Sequence, residues 1–228
     1  MKNANKITGC FFDLDGTLVD TEPMWVTAIM SSLEEISCEL SKPEADELIY
    51  GRSWLDIYDD LFQLFPGACP ERLEFETQIE GHFKVIKQEG DFVIHSSVEL
   101  LKKLSQKMPI AVVSGSTRDV VGDWISEMGL ESYIQFHMGC EDYPNGKPDP
   151  ICYQMAAERL GVSPESSLVF EDSTAGVKSA KSAGMYCVAL SLVGGRQQDL
   201  EVADLILNDL ADLDLNALND TPPAIRKK

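Results

Sequence analysis

The stretch ITGCFFDLDGT, at residues 7–17, joins an apolar run to two aspartates and then to a turn. The apolar part is short and ends at Asp13, which is typical of a strand buried inside a parallel sheet. Asp15 follows two residues later, so an extended chain would point both carboxylates to the same side. Because ligands bind beyond the carboxyl ends of the strands in open parallel sheets, this stretch predicts a functional site directly after the first strand.

Outward from this stretch, short apolar runs alternate with segments of helical periodicity. The alternation predicts βαβ units, and therefore an α/β fold with a mostly parallel sheet and helices on both faces. The predicted strands are 7–12, 110–113, 167–170 and 185–190, with weaker candidates at 134–138 and 203–207. The predicted helices are 97–107, 118–128, 150–160 and 175–183.

The segment 22–90 interrupts this alternation, because it contains no convincing strand. Apolar residues recur in it at helical spacing, as at Trp25, Ile29 and Leu33, and prolines and glycines divide the rest into short helices. We therefore predict an all-helical insert after the first strand. The predicted domains are a core, formed by 1–21 and 91–228, and a helical cap domain, formed by 22–90.

The composition excludes several classes of function. The chain has 228 residues and a formal net charge of −19, which argues against nucleic-acid binding because phosphates require clustered Lys and Arg. No run approaches the roughly 18 apolar residues of a membrane span, and the first residues do not resemble a secretion signal. Six dispersed cysteines without metal-ligand spacing indicate reduced thiols, mostly in the core. We expect a cytoplasmic protein, a monomer or weak dimer.

Further polar residues follow the other predicted strands or precede a predicted helix, where side chains can reach the same edge of the sheet. Two of these positions supply carboxylates or a lysine, and the third supplies hydroxyls on a flexible backbone. The residues are Ser114, Gly115 and Ser116 after the strand at 110–113, Lys147 in a Gly-Lys-Pro-Asp-Pro turn, and Glu171 and Asp172 after the strand at 167–170.

The charges of these residues predict a bound cation. Asp13, Asp15, Glu171 and Asp172 would together bring four negative charges to one crevice, and Lys147 would return a single positive charge. Neighbouring carboxylates repel one another unless a positive charge joins them. A divalent ion would leave the site close to neutral, and carboxylate and carbonyl oxygens suit a hard cation such as Mg²⁺.

These four groups of residues, in this order, resemble the motifs of the haloacid dehalogenase-like superfamily, in the subfamily whose helical cap follows the first strand. The resemblance covers essentially the whole chain and implies a Rossmann-like core. It implies that Asp13 is a nucleophile that forms an aspartyl-phosphate and that Asp15 is a general acid and base. It also implies that the Ser114 hydroxyl, the main-chain N–H groups of Gly115 and Ser116, and the Lys147 ammonium bind phosphate.

The resemblance also implies one Mg²⁺ per site. Its ligands would be the side chain of Asp13, the main-chain carbonyl of Asp15 and a carboxylate of Asp172. Glu171 could bind the ion directly or through water, and the sequence does not separate these alternatives.

In this subfamily the cap closes over the site and contacts the leaving group. The insert is acidic and has few positive residues, which favours a small phosphorylated metabolite, such as a sugar or polyol phosphate. Trp25 and Trp54 are equally consistent with core aromatic residues. The candidate specificity residues of the cap are Glu22, Trp25, Arg52, Trp54 and Lys84.

The nearest alternative activity is that of β-phosphoglucomutases, which have the same core motifs. Those enzymes carry a cap histidine where this chain has Trp25, and their Gly-x-Ser-Arg turn reads Gly-Arg-Ser-Trp at 51–54. Lys84 does match their cap lysine. Because the other two mutase markers are missing, a phosphatase is favoured, and the mutase stays open as an alternative. Dehalogenase and phosphonatase chemistry fit the residues less well. A non-catalytic phosphometabolite sensor on the same fold would require the loss of a motif residue, and all are present.

Overall fold

The structure is a computed structural model that describes residues 6–49, 54–191 and 198–215. Within these ranges the chain forms six β-strands and eight α-helices. The strands are β1 (Gly9–Phe12), β2 (Ile110–Val113), β3 (Phe136–Met138), β4 (Ser167–Glu171), β5 (Tyr186–Leu190) and β6 (Leu205–Leu207). The helices are α1 (Glu22–Glu35), α2 (Lys42–Ile49), α3 (Trp54–Leu64), α4 (Arg72–Glu89), α5 (His95–Ser105), α6 (Arg118–Glu127), α7 (Ile151–Leu160) and α8 (Thr174–Ser182).

The six strands form one parallel sheet in the order β3-β2-β1-β4-β5-β6. The order reverses at the β1–β4 pair, and such a reversal opens a crevice at the carboxyl ends of the strands. In this pair Phe12 lies opposite Phe170, so the residues that follow β1 lie beside the last residue of β4. The predicted α/β fold, with a Rossmann-like parallel core and an inserted helical cap, is confirmed.

The four central strands of the sheet are buried on both faces. Every residue of β1, β2, β4 and β5 is buried. Phe11 and Val169 belong to one apolar cluster together with Ala156 of α7 and Ala180 of α8. Successive strand residues point to opposite faces, and on the other face the rings of Phe12 and Phe170 stack with centroids 4.5 Å apart. This two-sided packing explains why the strands read as unbroken apolar runs.

The described residues of the insert contain the four helices α1 to α4 and no strand. Residues Asp20–Phe92 form most of a compact unit separate from the unit that contains the sheet. Within this unit α4 packs along α1, where the Gln78 amide donates to the Ser32 carbonyl at 3.3 Å. The predicted division into a cap domain at 22–90 and a core formed by 1–21 and 91–228 stays a prediction.

All six cysteines are free thiols. Cys10, Cys152 and Cys187 are buried, whereas Cys38 and Cys69 are partly buried and Cys140 is exposed, so half of the cysteines rather than most of them lie in the core. Over the described ranges, no helix combines the length and the apolar character that crossing a bilayer would require.

Candidate active site

The chain turns sharply after β1 and thereby fixes Asp13 at the centre of the sheet edge. The Asp13 amide donates to the Phe170 carbonyl at 2.9 Å, which continues the pairing of β1 with β4. Gly16 has a φ of +76°, a conformation that glycine adopts without steric cost. The Leu18 amide then donates back to the Leu14 carbonyl at 2.8 Å. Asp13 therefore lies at the start of a hydrogen-bonded turn, with only 8% of its side chain exposed.

Lys147 joins the carboxylates that follow β1 and end β4. Its Nζ lies 2.6 Å from Asp13 Oδ1 and 2.5 Å from Glu171 Oε1, and it donates to the Val113 carbonyl at 3.1 Å. The three ammonium protons thus have three acceptors, although the side chain is only 10% exposed. The chain brings together residues that are 134 and 24 positions apart in sequence.

Burial and charge act in opposite directions on this group of side chains. Burial raises the pKa of Asp13 to about 8, and the carboxylates of Glu171 and Asp15 add to the rise while Lys147 opposes it. Burial would lower the pKa of Lys147, but the attraction of Asp13 and Glu171 outweighs it and holds that pKa well above its usual value. Lys147 is therefore a cation, but alone it leaves the pKa of Asp13 at about 8, so a further positive charge is needed to keep Asp13 ionised at neutral pH.

Three carboxylates of the site could hold a metal ion together. Asp13, Glu171 and Asp172 each offer an oxygen, and these oxygens lie within 4.8 Å of one another. When all three carboxylates are ionised, Lys147 balances only one of their negative charges, and a divalent cation would neutralise the remaining two. An all-oxygen donor set is the kind that Mg²⁺ prefers, and the residues present fit that ion. The predicted contribution of the Asp15 main-chain carbonyl stays a prediction.

The side chain of Asp15 contacts the segment that follows β2. Its Oδ2 accepts hydrogen bonds from the hydroxyls of Ser114, at 3.1 Å, and Ser116, at 2.7 Å. The Ser116 amide in turn donates to Ser114 Oγ at 3.0 Å, while Gly115 between them is exposed. The predicted acid–base residue and the predicted phosphate-binding segment are therefore in direct contact.

The candidate specificity residues of the cap all belong to the helical unit. Glu22 is the first residue of α1, and Lys84 is an exposed residue of α4. The ring of Trp25 stacks on Phe83 with centroids 3.8 Å apart. Arg52 lies outside the described residues, and of Trp54 only the backbone is described.

The structure also reveals polar contacts that the sequence did not predict. Two hydroxyls reach the main site residues: Tyr153 donates to Glu171 Oε1 and Tyr143 donates to the Ser114 carbonyl, each at 2.7 Å. Both tyrosines are remote in sequence from the residues that they contact, so no local pattern could have identified them. Thr17, which donates to Asp172 at 3.4 Å, closes the ITGCFFDLDGT stretch and could have been included from its position there.

Comparison with known proteins identifies the class to which this fold and site belong. The family profile of haloacid dehalogenase-like hydrolases matches residues 10–190. The chain belongs to this family, and the predicted resemblance is confirmed.

Individual relatives agree with the family assignment. A phosphorylated carbohydrates phosphatase of Thermotoga maritima is 30% identical over 207 residues, covering 81% of this chain and 87% of that protein. A validoxylamine A 7'-phosphate phosphatase of Streptomyces hygroscopicus subsp. limoneus is 28% identical over 210 residues, covering 89% and 93%. A solved structure of a putative β-phosphoglucomutase from Thermotoga maritima has a TM-score of 0.74 and 28% identity, covering 93% and 98%. The prediction that this protein is a phosphomonoester hydrolase of this family is confirmed.

Proposed function

We propose that the protein is a Mg²⁺-dependent phosphatase that hydrolyses a sugar or polyol phosphate through an aspartyl-phosphate on Asp13. The observation that carries the proposal is the contact of Lys147 Nζ with Asp13 Oδ1 at 2.6 Å, beside the carboxylates of Glu171 and Asp172. A carboxylate that is buried, oriented and adjacent to a cation is suited to attack an anionic phosphoryl group.

In the first step an Asp13 oxygen forms a bond to phosphorus, and the bond from phosphorus to the ester oxygen breaks. Asp15 donates a proton to the departing alcohol. In the second step water attacks the same phosphorus, Asp15 accepts a proton from it, and Asp13 is released together with inorganic phosphate. Asp15 is two residues from the nucleophile, and without substrate its Oδ2 accepts hydrogen bonds from the hydroxyls of Ser114 and Ser116.

The remaining groups bind the phosphoryl oxygens. The Ser114 hydroxyl and the amides of Gly115 and Ser116 would donate to these oxygens, with the bound phosphate replacing Asp15 as the acceptor for Ser114. Lys147 would offset negative charge on both the nucleophile and the phosphoryl group. Mg²⁺, held by Asp13, Asp172, the Asp15 carbonyl and Glu171 (directly or through water), would reduce the repulsion between the carboxylates and a phosphate dianion.

The substrate class rests on the relatives and on the charge of the insert. One relative is named as a phosphatase of phosphorylated carbohydrates and the other as a phosphatase of validoxylamine A 7'-phosphate. The insert at 22–90 holds 15 acidic and 5 basic residues, which suits a leaving group without further phosphates. Glu22, Trp25, Arg52, Trp54 and Lys84 are the proposed specificity residues. A cytoplasmic location and a monomeric or weakly dimeric state also stay predictions.

The direct test compares wild type with Asp13→Asn on p-nitrophenyl phosphate and on a panel of sugar and polyol phosphates, with Mg²⁺. We expect wild type to release inorganic phosphate and Asp13→Asn to be inactive, while both unfold at similar temperatures. Asp46→Asn, on α2, is the matched control and retains activity. Turnover by Asp13→Asn would contradict the nucleophile assignment, and ligand binding without turnover by wild type would support a sensor instead.

A phosphoglucomutase activity is the second candidate, because a solved structure that is 28% identical carries that putative name. The two activities differ in the final acceptor of the phosphoryl group, which is water in a phosphatase and a sugar hydroxyl in a mutase. Incubation with β-glucose 1-phosphate and its bisphosphate primer distinguishes them. We expect inorganic phosphate as the main product, whereas glucose 6-phosphate would identify a mutase.

A further inference from the structure

Tyr153 contacts both Glu171 and Lys147 beside Asp13, although the proposed mechanism assigns it no role. It lies on α7, it is fully buried, and its hydroxyl donates to Glu171 Oε1 at 2.7 Å. Lys147 Nζ lies 5.2 Å from the centroid of the same ring, within the range of a cation–π interaction. The ring also meets Phe11 of β1 edge to face, with centroids 6.4 Å apart. Its position is therefore fixed by packing as well as by the hydrogen bond.

The hydrogen bonds of Glu171 explain why this contact matters. Glu171 Oε1 accepts from the Tyr153 hydroxyl and from Lys147, whereas Oε2 accepts from the Ser173 hydroxyl at 3.2 Å and the Asp172 amide at 3.3 Å. The oxygen near the start of α8 is thus fixed by the backbone and a neighbouring hydroxyl. The oxygen that binds Lys147 has Tyr153 as its other hydrogen-bond donor in the described structure.

We propose that Tyr153 is a positioning residue, whose hydroxyl fixes the Glu171 carboxylate so that Lys147 stays in contact with Asp13. The inference rests on the proposed function, in which Lys147 and Asp13 act on the phosphoryl group. Lys147 Nζ lies between two carboxylate oxygens, at 2.6 and 2.5 Å, so rotation of one carboxylate moves the ammonium relative to the other. The Tyr153 hydroxyl opposes that rotation, because its own ring is packed in the core.

A purely structural role would not require the hydroxyl. A phenylalanine at 153 would bury almost the same apolar surface and keep the ring beneath Lys147. A buried hydroxyl is costly unless it is hydrogen-bonded, and that of Tyr153 is bonded to the carboxylate that anchors the site lysine. The function of the hydroxyl can therefore be isolated by a single substitution.

The first experiment measures kcat and KM for Tyr153→Phe with Mg²⁺, using p-nitrophenyl phosphate as the probe. We expect kcat to fall about 10-fold or more with KM little changed, since groups that orient the residues of a metal site commonly contribute 10- to 100-fold. Tyr186→Phe is the matched control, because Tyr186 is a buried tyrosine at the opposite end of the β4–β5 pair from Glu171. A lower thermal stability of Tyr153→Phe with an unchanged kcat would overturn the inference.

A double-variant cycle tests whether the hydroxyl acts through Glu171. In a Glu171→Gln background, we expect the further change Tyr153→Phe to lower kcat much less than in wild type, because the coupled residues act as one unit. If the full effect of Tyr153→Phe persists in that background, the hydroxyl acts by another route and the inference is wrong.

A crystal structure of Tyr153→Phe, compared with one of wild type, gives a readout that needs no turnover. We expect a rotated Glu171 carboxylate and a Lys147–Asp13 separation longer than the 2.6 Å seen here, beyond hydrogen-bonding range. Unchanged positions of Glu171 and Lys147 would overturn the inference. If wild type hydrolyses none of the esters, the proposed function fails, while this comparison still decides the role of Tyr153.

Discussion

Two glycines allow the carboxylates of the site to lie against the backbone. A Cβ at Gly16 would lie 2.1 Å from Asp172 Oδ2, and a Cβ at Gly176 would lie 1.9 Å from the carboxyl carbon of Glu171. Ordinary carbon contacts begin near 3.4 Å, so neither carboxylate could keep its position beside a larger residue. The observed positions of Asp172 and Glu171 therefore require glycine at residues 16 and 176.

The variant Gly176→Ala tests this requirement. The added methyl group must displace Glu171 and, through it, Lys147, so we expect kcat to fall by about 10-fold or more. Overpacking should also lower the free energy of unfolding by roughly 1–3 kcal/mol. The measurements are steady-state kinetics and urea unfolding.

Gly81→Ala is the matched control for Gly176→Ala. Gly81 is also helical, on α4, and its added methyl group would meet no heavy atom within 4 Å. It should leave kcat unchanged and stabilise the protein by up to about 1 kcal/mol, because alanine favours the helix. Wild-type kcat in Gly176→Ala would show that Glu171 does not need its observed position.

At the level of elements, the start of α8 is built to hold the end of β4. Ser173 is the N-cap of α8, where its Oγ accepts from the Gly176 amide at 3.0 Å. The same hydroxyl donates to Glu171 Oε2 at 3.2 Å. One side chain thus stabilises the helix terminus and the carboxylate that precedes it, which couples the stability of α8 to the geometry of the site.

Ser173→Ala should lower the free energy of unfolding by about 1 kcal/mol, the usual contribution of an N-cap side chain. The loss of a hydrogen bond to Glu171 should also reduce kcat. Thr117→Ala is the control, since Thr117 is the N-cap of α6 but its side chain makes no capping hydrogen bond. Urea unfolding of the two variants gives the comparison, and equal losses of stability would contradict the assigned role of Ser173.

The sequence predicted the elements better than their ends. The run 110–113 coincides with β2, because it is bounded on both sides by polar or turn residues. The edge strands β3 and β6 are shorter than predicted, since each has a paired neighbour on one side only. The strand predicted at 167–170 continues to Glu171, which pairs with Ala189 of β5. Register with a distant strand decides such ends, and no local pattern contains that information.

The candidate site follows the same division between local and distant information. Asp13, Asp15 and Lys147 were identified because each belongs to a distinctive local stretch after a strand or before a helix. The contact of Asp15 with Ser116 and that of Tyr153 with Glu171 join residues 101 and 18 positions apart. Such contacts depend on the order of strands in the sheet and on which face of α7 meets it, and both emerge only when the chain is folded.

At the scale of the whole molecule, the negative charge is not confined to the site. Of the net charge of −19, residues 22–90 carry −10, from 5 basic and 15 acidic residues, and the remainder carries −9, from 14 and 23. Such a charge weakens the compact state by self-repulsion, which any salt screens. A divalent ion bound by Asp13, Glu171 and Asp172 would act differently, because it relieves repulsion among three buried or partly buried carboxylates.

These two effects predict different responses to metal removal. After treatment with EDTA we expect no turnover, and added Mg²⁺ should restore it and raise the unfolding temperature. A site occupied at 100 times its dissociation constant stabilises the folded protein by about 2.7 kcal/mol. NaCl at equal ionic strength should produce only the smaller effect of screening, and Asp172→Asn should lose the response that is specific to Mg²⁺. If NaCl raised the unfolding temperature as much as Mg²⁺ does, or if the metal-free enzyme were active, the carboxylates would not form a metal site, since screening alone would explain the stabilisation.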